Sequence, residues 1–452
     1  MASMVRGGGE TFDLEMARQL AGLGCQVTFL TGIPLCGKAN LGPESWWGDE
    51  RWAVDDGQEG IINQATHCPS PIAHRTIRSP YFGWFPWDKT PGGWRLRVTD
   101  FKIFEWLAAR WAFRHRDEFD VIQVCELPFF VHNFKQMERK RLNDRPSAIA
   151  RPPADMSPNA PPPSQGLRRT CRLLPIVIRL TAPDFHDPVG GVSQADAAIA
   201  SGDTMRKIRA STRPDCHDIP NGVDVHLFSP KAHPPSSNQS RYRLRHRIDP
   251  SAFVITLVGR FQTVKNHDLL IRAVRRAGQE ILGIVLLLAG SGPLRESLER
   301  KADDLIQAGQ VRFLGEVKHG DLPEIYHAAN VNVISSDYES FCFAVLEGMA
   351  SGLPHVVTAT DWVPWLIGGK KVDERSVGEY ASGVTEVPGG FVVPVGDEVA
   401  LAAALVQLSK DPEKQRAMGA WAEQRAARDF SWDASAGKLM AIYEQLKSMA
   451  TA

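Results

Sequence analysis

Hydrophobic and polar positions along the second half of the chain alternate between two periods. The runs FVITLVG (253–259), GIVLLLAG (283–290), VRFLG (311–315), VNVIS (331–335) and HVVT (355–358) are mostly Val, Ile and Leu on both faces. Strands of that kind are buried on both sides, as in a parallel sheet covered by helices. Between them lie stretches with helical spacing: HDLLIRAVRRAG (267–278), PLRESLERKADDLIQAG (293–309), DLPEIYHAAN (321–330) and CFAVLEGMASG (342–352). The alternation predicts an α/β, doubly wound parallel sheet.

The first half is less regular but of the same class. TFDLEMARQLAGLG (11–24) predicts an amphipathic helix ended by Gly24, and CQVTFLT (25–31) a strand. Residues 32–98, rich in Trp, Gly and Pro, predict a long irregular stretch. TDFKIFEWLAARWAFRHR (99–116) predicts a helix with Thr99 at its N-cap. DVIQVC (120–125), LPIVIRL (174–180) and ADAAIA (195–200) predict strands. Residues 144–170 are Pro-rich and poor in large apolar groups, which predicts a disordered insertion. Only MASMVR precedes Gly7-Gly8-Gly9, too weakly apolar for a full strand, so the expectation is a first domain lacking its first strand or truncated at its start.

Composition narrows the function classes. At 452 residues with 43% hydrophobic content the chain is long enough for two to three domains with ordinary cores. Lys+Arg and Asp+Glu both number 52, so the basic excess of a dedicated nucleic-acid binder is missing and no nucleic-acid partner is expected. Seven dispersed Cys without a C-x-x-C pair predict reduced thiols and a cytoplasmic protein. No apolar run reaches the ~20 residues that span a bilayer. Basic clusters at 135–145 (Lys135, Arg139, Lys140, Arg141, Arg145) and 241–247 (Arg241, Arg243, Arg245, Arg247) read as solvated helix faces or as contacts to anionic headgroups, leaving peripheral membrane contact open. Trp46, Trp47, Trp84, Phe85, Trp87 and Trp94 read as loop packing ahead of an acceptor-sugar lining.

Candidate chemistry concentrates at strand exits, where open α/β sheets bind ligands. Glu339 follows the strand VNVIS, and Glu347 falls eight residues later in the first turns of a helix. Arg260 and Lys265, in GRFQTVKN, stand between a strand and a helix, where two cations beside a helix N-terminus suit a diphosphate. LLLAGSGPL holds a G-x-G turn at Gly290 whose third glycine is replaced by Arg295, a weak nicotinamide signal and as readily a plain tight turn. Gly8 and Gly9 open a helix and allow close backbone approach to a phosphate or sugar; a flexible terminal turn fits equally. D-x-D, G-x-S-x-G and Walker motifs are absent, and no His/Cys/Asp spacing predicts a metal.

Taken in order, GGGETFDLEMARQLAGLGCQVTFLTG, IPNGVDVHLFSP, GRFQTVKNHDLLIRAV, LLLAGSGPLRESLE, VRFLGEV, ESFCFAVLEGMASGLPHVVT and FSWDASAGKLMAIYEQL resemble glycosyltransferase family 4, retaining enzymes with the GT-B fold. The resemblance covers nearly all of residues 219–447 and parts of 7–218. It implies two Rossmann-like doubly wound domains facing across a cleft: an acceptor-side domain (1–220), a nucleotide-sugar domain (221–430) and a last helix (431–452) crossing back. It implies that Arg260 and Lys265 hold a donor diphosphate, that Glu347 accepts hydrogen bonds from the ribose hydroxyls, and that Glu339 lies near the transferred sugar. The amides of Cys342, Phe343 and Ala344 would meet sugar or phosphate, and Val317 would lie in the nucleobase loop. It also implies a nucleotide-sugar donor, a saccharide or lipid-linked acceptor, and no metal or other cofactor. The sequence departs from the family at Ser340 and Cys342, in place of glycines, and at Asp361, Trp362 and Trp365, in place of Gly-Gly and a glutamate. Thr181 stands where a histidine is usual, and His186 in TAPDFHDP is the candidate to replace it. The expected function is therefore hexosyl transfer; the alternatives are a catalytically impaired sugar-nucleotide-binding protein of the same family and a GT-B sugar-nucleotide epimerase.

Overall fold

The computed structural model describes residues 8–34, 72–79, 93–143, 173–181, 187–231, 242–339, 341–372 and 377–451, so that Ser340 lies outside it. It divides into two compact units, Met1–Ile219 with Ala436–Ala452, and Pro220–Ser435. Residues 1–7, 144–170 and His186 lie outside the described residues, as do Trp46, Trp47, Trp84, Phe85 and Trp87.

In the first unit, helix Gly8–Gly22 stops where Gly24 takes φ +88°, and β1 (Val27–Pro34) follows. Its parallel partner β2 (Ile72–Ser79) lies inside the stretch expected to be irregular. IAHRTIRS carries three charged or imidazole side chains among eight residues and so lacks the apolar run that marks a buried strand. Helix Gly93–Arg114 begins six residues ahead of Thr99, which is interior to it and is no N-cap. A four-stranded parallel sheet follows in the order β3 (Ile122–Cys125), β4 (Ile176–Arg179), β5 (Ala197–Ala200), β6 (His217–Asp218). Helix Pro128–Asn143 leaves β3, and the buried Glu105 carboxylate accepts its Phe130 N–H at 2.8 Å, satisfying an orphan donor of that helix start. Helix Trp432–Thr451 closes this unit: Tyr443 donates to Gln123 at 2.7 Å and Lys447 pairs with Asp120 at 3.0 Å.

The second unit is built on β7 (Phe253–Val258), β8 (Ile284–Ala289), β9 (Val311–Gly315), β10 (Val331–Ile334), β11 (His355–Thr358), β12 (Thr385–Val387) and β13 (Gly390–Val393). Their order is β12-β13-β11-β10-β7-β8-β9, parallel except for the β12–β13 edge. Alternate residues of β7 and β8 feed two apolar layers: Val254, Val285 and Leu287 on one face, Ile255, Leu286 and Leu288 on the other. Each such side chain, taken fully out of water, contributes about 1.5–3 kcal/mol before entropy is counted. The chain runs from β7 outward to β9, then returns to β10 beside β7 and runs the other way. The β7/β10 junction is thus a topological switch point, the place where exits of neighbouring strands splay apart and leave a crevice.

Among the described residues, no helix is long and apolar enough to cross a membrane.

Candidate functional site

Two loops meet at the switch point. After β7 the chain turns through Thr263–Lys265, and Asn266 at φ +44° caps helix His267–Ala277 by accepting the Leu269 N–H at 3.2 Å. After β10, Ser335 donates to the carbonyls of Lys265 and Asn266, both at 3.0 Å, and the Asp337 N–H donates to the Val264 carbonyl at 2.8 Å. The exits of β7 and β10 are therefore tied to each other by the Ser335 hydroxyl and by one backbone bond before any ligand arrives.

On this frame Lys265 Nζ lies 2.7 and 2.8 Å from the two oxygens of Glu339. Glu339 is 6% exposed and also accepts the Ser336 hydroxyl at 2.7 Å. Burial works against the Lys265 ammonium, but the pull of Cys342 and Glu339 outweighs it and its pKa is raised. Burial holds the Cys342 thiol far above its usual range. Lys265 is thus a fixed cation beside a buried anion, both at the carboxyl edge of the sheet.

Glu347 sits on the next helix, Phe343–Ala350, and is 7% exposed. Tyr326 donates to its Oε2 at 2.8 Å, and His319 Nε2 lies 3.3 Å from its Oε1. Burial, then the neighbouring Glu347, keeps the Tyr326 hydroxyl protonated and therefore a donor. Cys342 is the N-cap of this helix and makes no side-chain cap, so the helix start is not capped by its own sequence.

The remaining expected residues fall as follows. Arg260 is exposed at the β7 exit and is not part of the Lys265–Glu339 pair. Val317 is half-buried against the core, and Phe343 and Ala344 are half-buried in the first turn of the Glu347 helix. Gly290 has φ +142°, and a Cβ there would stand 2.0 Å from the Gly259 carbonyl oxygen; its glycine is required by the approach of two strand exits. Gly8 and Gly9 open the first helix. Asp361 adopts φ +43°, and its carboxylate lies 3.5 Å from the Glu339 amide. Trp362 and Trp365 pack edge to face at 5.2 Å, with the Lys371 ammonium 3.4 Å from the Trp362 ring centre. Sequence reasoning missed Tyr326, Ser336 and His319. Ser336 is local to Glu339, whereas Tyr326 and His319 reach Glu347 only through the fold and leave no local signal.

Of the basic clusters, Lys135 is drawn to Asp196 at 2.8 Å, and Arg243 is buried on the carbonyls of Ala328, Pro250 and Ala252. Arg245 makes an exposed pair with Glu324 at 3.0 Å, Arg247 is exposed, and Arg241 and Arg145 lie outside the described residues.

Two α/β units with a buried Lys–Glu pair at one switch point define a Rossmann-like protein with a candidate ligand site, and comparison with known proteins narrows the assignment. Residues 238–425 match the family model described as glycosyl transferases group 1. That match lies within the second unit, which is thus similar to the group 1 glycosyl transferases, and the whole chain has the GT-B fold. A D-inositol 3-phosphate glycosyltransferase from Salinispora tropica is 30% identical over 285 residues, 59% of this chain and 55% of that protein. One of the same name from Corynebacterium jeikeium is 34% identical over 237 residues, 50% of this chain and 51% of that protein. The chain thus spans about half the length of these curated relatives. Among solved structures, sucrose-phosphate synthase from Thermosynechococcus elongatus aligns with TM-score 0.62 at 19% identity, covering 98% of this chain and 94% of that one. Anabaena HepE in complex with UDP and glucose aligns with TM-score 0.60 at 17% identity over 98% of both chains.

Proposed function

We propose that the chain is a retaining family 4 glycosyltransferase that moves a hexosyl group from a nucleotide-diphosphate sugar to a sugar or lipid-linked acceptor. The observation that carries this reading is the Lys265–Glu339 pair at the β7/β10 switch point, followed by buried Glu347 on the next helix. In transfer, the bond between the anomeric carbon and the diphosphate oxygen breaks and its electron pair goes to that oxygen. The acceptor hydroxyl oxygen bonds to the same carbon and gives its proton to the departing phosphate. Negative charge grows on the phosphate, and Lys265, Arg260 and the amides of Cys342, Phe343 and Ala344 answer it without a metal. For this Lys265 must exchange the Glu339 carboxylate for phosphate oxygens. Glu339, so released, orients the sugar and favours the positive anomeric centre, and Glu347 takes the ribose hydroxyls.

The donor test is a thermal-shift series with UDP-, GDP- and ADP-sugars, starting with UDP-glucose because a structural neighbour holds UDP and glucose. A donor at 100 times its Kd raises stability by about 2.7 kcal/mol. Inositol 3-phosphate is the first acceptor to add, from the relatives' names. Donor binding and transfer that vanish in Lys265→Ala and Glu339→Gln support the reading. No binding of any nucleotide sugar refutes it, and binding without hydrolysis or transfer identifies the impaired binding protein.

We also propose a cytoplasmic protein that touches anionic membrane peripherally. Helices Gly93–Arg114 and Pro128–Asn143 expose Ile103, Trp106 and Leu142 beside Arg110, Arg139 and Lys140, an apolar and basic face of the kind that seats in headgroups. Sedimentation with phosphatidylglycerol vesicles, weakened by Trp106→Ala with Arg139→Glu and by salt, is the expected result. Equal recovery with phosphatidylcholine vesicles would remove this face from consideration.

A further inference from the structure

The turn of helix that carries Glu347 rests on polar groups the nucleotide never touches. Asn332 of β10 and His355 of β11 are direct cross-strand partners, and both are 0% exposed. Asn332 Nδ2 donates to the Ala344 carbonyl at 2.8 Å, and His355 Nε2 donates to the Val345 carbonyl at 3.1 Å. Those carbonyls belong to the first turn of the helix, where intrahelical N–H groups already supply partners. Asn332 Oδ1 and His355 Nδ1 meanwhile have no partner, although both are buried. Gly348 makes the contact close: a Cβ there would stand 2.5 Å from Asn332 Nδ2 and 2.8 Å from His355 Nε2.

A core shaped for stability alone would put apolar side chains at these two positions, since unpaired buried acceptors carry a penalty and redundant donors repay little of it. The expense falls beneath one helical turn, the turn holding Glu347 and the amides aimed at the diphosphate. Tyr326 grips the same turn from a third element, through the Glu347 carboxylate.

We infer that Asn332 and His355 are positioning residues for nucleotide binding, anchoring residues 344–347 to β10 and β11 so that Glu347 and the helix-start amides are in place before the donor arrives. The inference rests on the donor reading given above and adds residues to that site.

The test compares Asn332→Leu, His355→Leu and His355→Gln with the unaltered chain. Hydrogen exchange over residues 343–350 in the ligand-free protein is expected to be at least tenfold faster in both Leu variants, with the melting temperature unchanged or higher. His355→Gln, whose amide nitrogen can reach the same carbonyl, keeps the original protection. In UDP-glucose hydrolysis, donor KM rises at least fivefold in the Leu variants while kcat stays within twofold. Unchanged exchange over 343–350, or exchange that rises equally in β7 and β8, overturns the inference. Should His355→Leu give no cooperative melt, Asn332→Leu and His355→Gln carry the same comparison. Because exchange needs no ligand, it decides the anchoring even if the unaltered chain binds no nucleotide, an outcome that refutes the donor reading instead.

Discussion

Glu347 shows how a single carboxylate is prepared by its neighbours. Its Oε2 receives the Tyr326 hydroxyl inside the core, while its Oε1 faces the half-exposed His319. Tyr326→Phe removes one donor and leaves a buried charged oxygen short of a partner. We expect a loss of about 1–3 kcal/mol in unfolding free energy, read by denaturant melts, together with weaker nucleotide binding by calorimetry. Gly348→Ala tests the same turn from the other side. Its methyl group would meet the ends of Asn332 and His355, and overpacking of this kind costs roughly 1–3 kcal/mol. A melting temperature equal to that of the unaltered chain would mean that the two side chains can withdraw freely.

Among the elements, those buried on both faces were the legible ones. FVITLVG, GIVLLLAG and HVVT lie in the centre of the seven-stranded sheet, where the sequence must be apolar on each side, and they contain β7, β8 and β11. β2 was not legible, because a strand pairing in a two-stranded sheet need not be apolar throughout. The Lys265 and Glu339 loops were legible as strand exits; their meeting across the switch point was not, since strand order is a long-range property that periodicity does not encode. The role of Glu105 was equally hidden. It lies in one helix and serves the start of another, and burial, moderated by the Phe130 and Phe129 amides and by Lys102, raises its pKa to about 7. A carboxyl raised in the folded state holds its proton longer than in the unfolded chain. Its contribution is therefore full below pH about 4.5 and is lost as pH rises to about 7, by at most roughly 3 kcal/mol. Glu105→Gln should flatten that slope, measured by urea melts of the first unit across this range.

At the scale of the molecule the two units are expected to respond to acid in opposite senses. Burial lowers the pKa of both His267 and His355 in the second unit to about 4. An imidazole depressed on folding keeps its stabilising effect above pH about 6.5, and loses it as pH falls toward about 4, by roughly 3 kcal/mol each at most. Mild acid should therefore loosen Pro220–Ser435 while it favours the Glu105 region, so that separate fluorescence or exchange probes report two transitions drawing apart below pH 6.5. A single transition at every pH would show that the units unfold together.

The first unit is discontinuous in sequence, taking Met1–Ile219 and then Ala436–Ala452. During vectorial synthesis the whole of Pro220–Ser435 is translated before the segment carrying Met440, Tyr443 and Lys447 exists. Cys25, Gln123 and Asp120, the partners of those three residues, must wait through that interval. The second unit does not need that segment, and can close on a chain whose own beginning is still unfinished. A chain stopped before Ala436 should give protease-resistant Pro220–Ser435 beside a digestible first half. In the cell, the first unit then depends on residues translated after the whole of the second, and a product released before Ala436 is one in which only the second unit can close.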